Sequence, residues 1–242
     1  MSKKITYTSY DIPLFQQSIC NFANQKGNYK NMRLAPKDLI DNPDFELLIR
    51  LEHKNAKAFV KEQLRQKSKL TKRYLWYQFS MATLLTALIS CGLILWYVKS
   101  ALPMLFVVGA FCFSFTLLIV FHELLHGLAF LLMGFRKISF GGDVRKFVFY
   151  AQADQQVISR PEFYILALFP LVAINLITVV AIIITIITHS PWFWFWMIIM
   201  AIHSFFCAGD IGLLSFFSHN RDKELFTFDS KSEKSSYFYQ RK

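Results

Sequence analysis

The chain has 242 residues, of which 54% are hydrophobic, and 26 phenylalanines stand against nine glycines and seven prolines. That is the composition of a membrane protein. The net charge of +11 does not imply nucleic-acid binding, because the basic residues fall where anionic lipid headgroups attract them, by about 1 kcal/mol each.

Residues 1–41 are polar and irregular, broken by Gly27 and Pro36, and carry no usable motif. MSKKITYTSYDIP has no early apolar core and no small-residue cleavage site, which argues against a signal peptide. Asn42-Pro43 reads as a helix cap with a first-turn proline. Phe45, Leu48, Ile49, Ala56, Phe59, Val60 and Leu64 then recur at helical spacing. The expectation is an amphipathic basic helix over about 43–66, lying on the inner leaflet or packed against the chain's own cytosolic loop. Its polar side, with Arg50, Lys54, Lys57, Lys61 and Arg65, runs on into Lys67, Lys69, Lys72 and Arg73.

Four apolar stretches are long enough to span a bilayer, about 75–98, 102–134, 163–188 and 191–218. Fifteen of the 27 Lys and Arg precede the first, five lie between the second and third, and six follow the last. Only Lys99 lies in either remaining loop. The positive-inside rule then puts both termini and the central loop in the cytosol, around a multi-pass protein of the plasma membrane. The fold class expected is an α-helical integral membrane protein. It has a cytosolic N-terminal extension (1–74), a four-helix membrane domain (75–218) and a cytosolic tail (219–242).

Between spans two and three, ISFGGDVRKFVFYAQAD holds two β-prone runs around Gly141-Gly142-Asp143, which predicts a tight hairpin. Open strand edges cannot face lipid, so this element must lie in water or under protein. The four cysteines, Cys20, Cys91, Cys112 and Cys207, show no paired spacing and are read as reduced thiols.

Setting thiols and tyrosines aside, the ionisable groups within the spans are His122, Glu123, His126, His203 and Asp210. A charge at mid-helix costs about 2.5 to 3.5 kcal/mol on insertion scales, so several together require a compensating partner. His122-Glu123-Leu124-Leu125-His126 is the HExxH pattern. On a helix it aims two imidazoles at one ion, with a carboxylate beside them able to act on metal-bound water. Zinc suits such nitrogen donors and needs a third ligand.

Asp210 is the candidate. Spans two and four run in the same direction, and His122 lies 19 residues after Pro103 just as Asp210 lies 19 after Pro191. At about 1.5 Å per residue both lie roughly 28 Å from the outer boundary, toward the cytosolic leaflet. Small neighbours, Ala208, Gly209 and Gly212, allow close helix approach. His203 is seven residues earlier, roughly 10 Å higher on a straight helix. It is therefore expected to be a hydrogen-bonding group around the ligands, or a satisfied buried histidine, rather than to share the ion.

At these residues the chain resembles a bacterial family of membrane zincin peptidases, a domain of unknown function related to the site-2 proteases. The resemblance runs from about Phe111 to the start of the tail and rests on HELLHGLAFLLMGF, the β-rich loop, a Pro-containing span and CAGDIG. It implies that Asp210 corresponds to the aspartate of the Leu-Asp-Gly motif of site-2 proteases, although Gly209 replaces the leucine and the glycine comes two places later. Phe169-Pro170 with Asn175 only loosely matches their Gly-Pro and Asn motif, and Asn175 is given no catalytic task.

These readings converge on a zinc-dependent peptidase. His122, His126 and Asp210 would hold the metal, Glu123 would move the proton, and the substrate would be a membrane protein or peptide. The hairpin, through Val148 and Tyr150, is expected to hold an unwound substrate by strand addition. Anionic lipid headgroups are the other expected partner. The alternatives are a non-catalytic adaptor or immunity-type protein that keeps a structural metal site, and a metal transporter, which the nearly uniformly apolar first and third spans disfavour.

Overall fold

The computed structural model describes residues 33–66, 68–143 and 148–242. The readings made for residues 1–32, for Lys67 and for residues 144–147 lie outside them. A one-turn helix α1 (Pro36–Ile40) leads into strand β1 (Phe45–Glu52), a 3-10 turn (His53–Asn55) and helix α2 (Ala56–Arg65). Helix α3 (Lys69–Val98) follows, then α4 (Leu102–Phe113), a π-helical turn (Ser114–Leu118) and α5 (Ile119–Leu132). Strands β2 (Ile138–Asp143), β3 (Val148–Ala153) and β4 (Ile158–Ser159) precede helix α6 (Arg160–Ile187). The chain ends with α7 (Trp192–Phe206), α8 (Ala208–His219), β5 (Leu225–Ser230) and β6 (Ser235–Arg241).

Among the described residues, three helices are long and apolar enough to cross a membrane: Lys69–Val98, Leu102–Leu132 and Arg160–Ile187. The bent pair α7–α8 makes up to a fourth. Large apolar side chains such as Trp96, Leu131, Leu176 and Ile187 stand exposed on them, as lipid-facing side chains do. Inside, Leu88, Val107, Ala110, Ile198, Ile199 and Ile202 form one buried cluster where α7 packs on α3 and α4.

The expected fourth span is not one helix. At Cys207 it bends by 45°. The Ser204 carbonyl beside the break accepts hydrogen bonds from Tyr74 Oη at 2.8 Å and from the Gln78 amide, both on α3. Side chains of a neighbouring helix thus cover polar backbone that lipid could not satisfy.

The expected helix over about 43–66 is corrected in its first half. Phe45, Leu47, Ile49 and Leu51 alternate with Glu46, Arg50 and Glu52, a period-2 pattern that forms a strand. Leu48 obscures the alternation and sits at an irregularity in the register with β6, between Leu47 and Ile49. Such a bulge switches the faces of the residues on either side. Phe45 packs with Phe226 and Tyr239 in one cluster, whereas Leu51 joins Phe217 and Phe238 in another. Asn42 caps no helix; its Oδ1 accepts from the Asp44 amide at 2.9 Å in a turn. Helix α2 does form, and it packs on the chain itself: Val60 seats against Gly212, and Phe59 lies beside Phe216 and Phe238.

The tail is likewise more than a tail. Strands β5 and β6 form a hairpin inside an antiparallel sheet of order β1-β6-β5-β4. That sheet draws its strands from the N-terminal segment, the central loop and the C-terminus, so all three lie at the same end of the helices. Arg160 fastens the arrangement: its guanidinium donates to the carbonyls of Asn220, Arg221 and Lys223 just past α8. At the start of α6, Ser159 and Glu162 make a reciprocal cap, and Arg33 reaches Glu162 at 3.1 Å.

A β-hairpin stands between the second and third apolar helices, but its turn is not where the glycines suggest. Gly141 and Gly142 lie within β2, opposite Tyr150 and Phe149. A Cβ on Gly141 would lie 2.6 Å from the Tyr150 ring. The glycine therefore makes room for an aromatic partner rather than for a bend.

Candidate metal centre

The HExxH residues lie on α5, directly after the π turn. Extra-residue turns of this kind recur at functional sites because they reset the facing of the next helix. Gly127 lies against the Phe140 ring of β2, and a Cβ there would fall 2.5 Å from its Cζ. By strand alternation the hairpin face carrying Phe140 and its partner Ala151 looks onto α5, and Tyr150 belongs to the other face, its ring 5.7 Å from that of His53. Val148 opens β3 opposite Asp143. Tyr150 is not among the residues that the structure clusters with His122.

His122 and His126, one turn apart, meet Asp210 from the first turn of α8. The His122 and His126 Nε2 atoms are 3.2 Å apart. His122 Nε2 is 3.1 Å from Asp210 Oδ2, and His126 Nε2 is 3.2 Å from Asp210 Oδ1. A tetrahedral ion with ligand bonds near 2.0 Å has ligand–ligand edges of about 3.3 Å. These separations are therefore those of a donor set facing one small cation, and the three residues form one group able to hold a metal ion.

The outer nitrogens are engaged as well. His126 Nδ1 is 3.1 Å from the carbonyl of Leu166 on α6. A carbonyl only accepts, so Nδ1 carries the hydrogen and, in the neutral ring, Nε2 presents its lone pair to the centre. His122 Nδ1 is 3.0 Å from His203 Nε2. His203 and Asp210 thus approach opposite nitrogens of one imidazole, on either side of the bend at Cys207. His122, His203 and Cys207 form a second, fully buried group of possible metal donors. The Glu123 carboxyl lies toward the Ala151 backbone amide of β3, and its buried Oε2 has no hydrogen-bond partner.

Sequence reasoning overlooked three participants. The Leu166 carbonyl has a signal in the sequence, a proline four residues later. Cys207 beside His203 has only its proximity, and the Tyr74–Gln78 pair has none. Asn175 bonds Tyr77 on α3, its Nδ2 3.0 Å from the phenol oxygen, and lies outside the cluster.

The class of protein so defined is a helical membrane-type chain with a His/carboxylate cluster, able to hold a metal ion, between two of its apolar helices. Residues 115–223 match the family model described as "Putative zincin peptidase". The match runs from the π turn to just past α8 and includes all the cluster residues, so over this stretch the chain is similar to that family. No curated protein and no solved structure matches the chain.

Proposed function

We propose that the protein is a zinc-dependent, membrane-embedded peptidase, related to the site-2 proteases, that cleaves membrane-associated or transmembrane peptides near the cytosolic leaflet. The observation that carries this reading is the trio of donor atoms at tetrahedral-edge distances. Two imidazole lone pairs and a carboxylate aimed at one point repel one another unless a cation or shared protons lie among them, and a cation at this spacing satisfies all three at once. The orphaned Glu123 Oε2 beside them supports it. Zinc in such a site supplies Lewis acidity, acidifying water and polarising a scissile carbonyl.

The chain's own residues do the rest. His122 Nε2, His126 Nε2 and the Asp210 carboxylate hold the metal, and His203 steadies the His122 ring through Nδ1. Glu123 takes the proton from the attacking water and passes it to the leaving amine. Burial between α5 and β3 keeps that carboxylate out of bulk water. The basic loop and tail, gathered with the N-terminal segment at one end of the helices, face the cytosol and its anionic headgroups.

Glu123→Gln keeps zinc, because Glu123 is not a ligand, and lowers cleavage of membrane peptides in cells by about 10²- to 10⁴-fold. Full cleavage by this variant would leave the adaptor reading in its place. The hairpin binds the unwound substrate by strand addition. Val148→Pro with Tyr150→Pro then abolishes cleavage with zinc retained, and unchanged cleavage would remove the hairpin from the mechanism.

A further inference from the structure

Helix α6 contains two prolines, Pro161 in its first turn and Pro170, which is buried in the helix interior. A proline there costs helix stability, because it has no N–H for the carbonyl four residues earlier and its ring crowds that carbonyl. The carbonyl released by Pro170 is that of Leu166. In this structure it is the carbonyl that faces His126 Nδ1 at 3.1 Å, in a site where His126 and Leu166 are each 8% exposed.

In an unbroken helix the N–H of residue 170 would donate to the Leu166 oxygen and compete with His126 for it. We propose that Pro170 is a positioning residue for the metal centre: by withholding its N–H it leaves the Leu166 carbonyl to His126, fixing the tautomer whose Nε2 faces His122 and Asp210. This rests on the metal reading above and extends it to a third apolar helix. Neither α5 nor α8 could hold the His126 ring by itself, because its outer nitrogen points away from both toward α6. The proline is thus the sequence feature that couples α6 to the ligand set.

The test compares two replacements in the full-length protein, purified in detergent. Pro170→Ala restores an N–H. The α-hydroxy-acid analogue of alanine at the same position, introduced as a backbone ester, also lacks the proline ring but has no N–H. Zinc affinity by competition with a chromophoric chelator is expected to fall by about 10- to 100-fold in Pro170→Ala, the usual effect of losing a ligand's outer hydrogen bond. It is expected to return to the wild-type value in the ester. Cobalt(II) absorption bands, which report ligand geometry without reference to activity, follow the same order.

Equal zinc affinity in wild type and Pro170→Ala would overturn the proposal while leaving the metal site standing. An ester as weak as the alanine variant would also overturn it, since the ring and not the missing N–H would then matter. Wild-type protein that binds no zinc would defeat the underlying metal reading itself.

Discussion

Two buried regions of this molecule are built on opposite terms. Where α7 crosses α3 and α4, Leu88, Val107, Ile198 and Ile202 pack without a polar atom among their side chains. One bend lower, His122, His126, His203, Cys207 and Asp210 crowd together with their polar atoms facing one another. Lipid tails are as apolar as leucine, so the first region gains little over a helix left in the bilayer beyond close packing. The second is costly to assemble and specific once assembled, because each donor is placed by a partner on another helix. Apolar contact brings these helices together; the polar cluster determines their register.

The largest test of that contrast is His122→Ala. It removes a shared partner of Asp210, His126 and His203 at once and leaves a mostly buried carboxylate short of partners. A loss of about 3 to 5 kcal/mol is expected, read as a lower unfolding midpoint in detergent. Ile198→Val in the apolar region should cost about 0.5 to 1.5 kcal/mol. Similar losses from the two would erase the distinction drawn between the regions.

The seam between membrane helices and sheet gives the next effect. Gly212 admits Val60 of α2 so closely that a Cβ would lie 2.6 Å from Val60 Cγ1 and 3.2 Å from its backbone oxygen. Gly212→Val overpacks this seam by about 1 to 3 kcal/mol, and faster hydrogen exchange in α2 would show it. Smallest is Thr71→Val, which breaks the 2.9 Å contact between Thr71 Oγ1 and Ser215 Oγ. One buried hydrogen bond is worth about 1 kcal/mol, so the unfolding midpoint should fall slightly and zinc affinity should not change.

The same contrast explains what could be read from the sequence. His122, Glu123, His126 and Asp210 stand out because a lipid-length apolar run makes each polar residue conspicuous, and equal distances from Pro103 and Pro191 place two of them at one depth. Residues 45–52 offered no such background. Their strand period was present, but Leu48 at the bulge completes a helical spacing with Phe45 and Ile49, and the partner that decides the matter, β6, lies nearly two hundred residues away. The tail hides its hairpin for the same reason, since Leu225–Ser230 and Ser235–Arg241 form strands in a sheet that β1 and β4 complete. Gly141-Gly142 mimics a turn, and Gly141 serves instead to seat the Tyr150 ring. The bend at Cys207 has no proline to announce it; what it accomplishes, bringing His203 and Asp210 to the two nitrogens of one ring, becomes visible only with all three helices in place.

The most direct measurement is the metal content of the purified full-length protein beside that of Asp210→Ala, by inductively coupled plasma mass spectrometry. One zinc per chain in the wild type, and its loss in the variant with the helical circular dichroism preserved, is the predicted result. A wild-type chain that cleaves its membrane substrate without metal, or an Asp210→Ala chain that keeps a full equivalent of zinc, would contradict it.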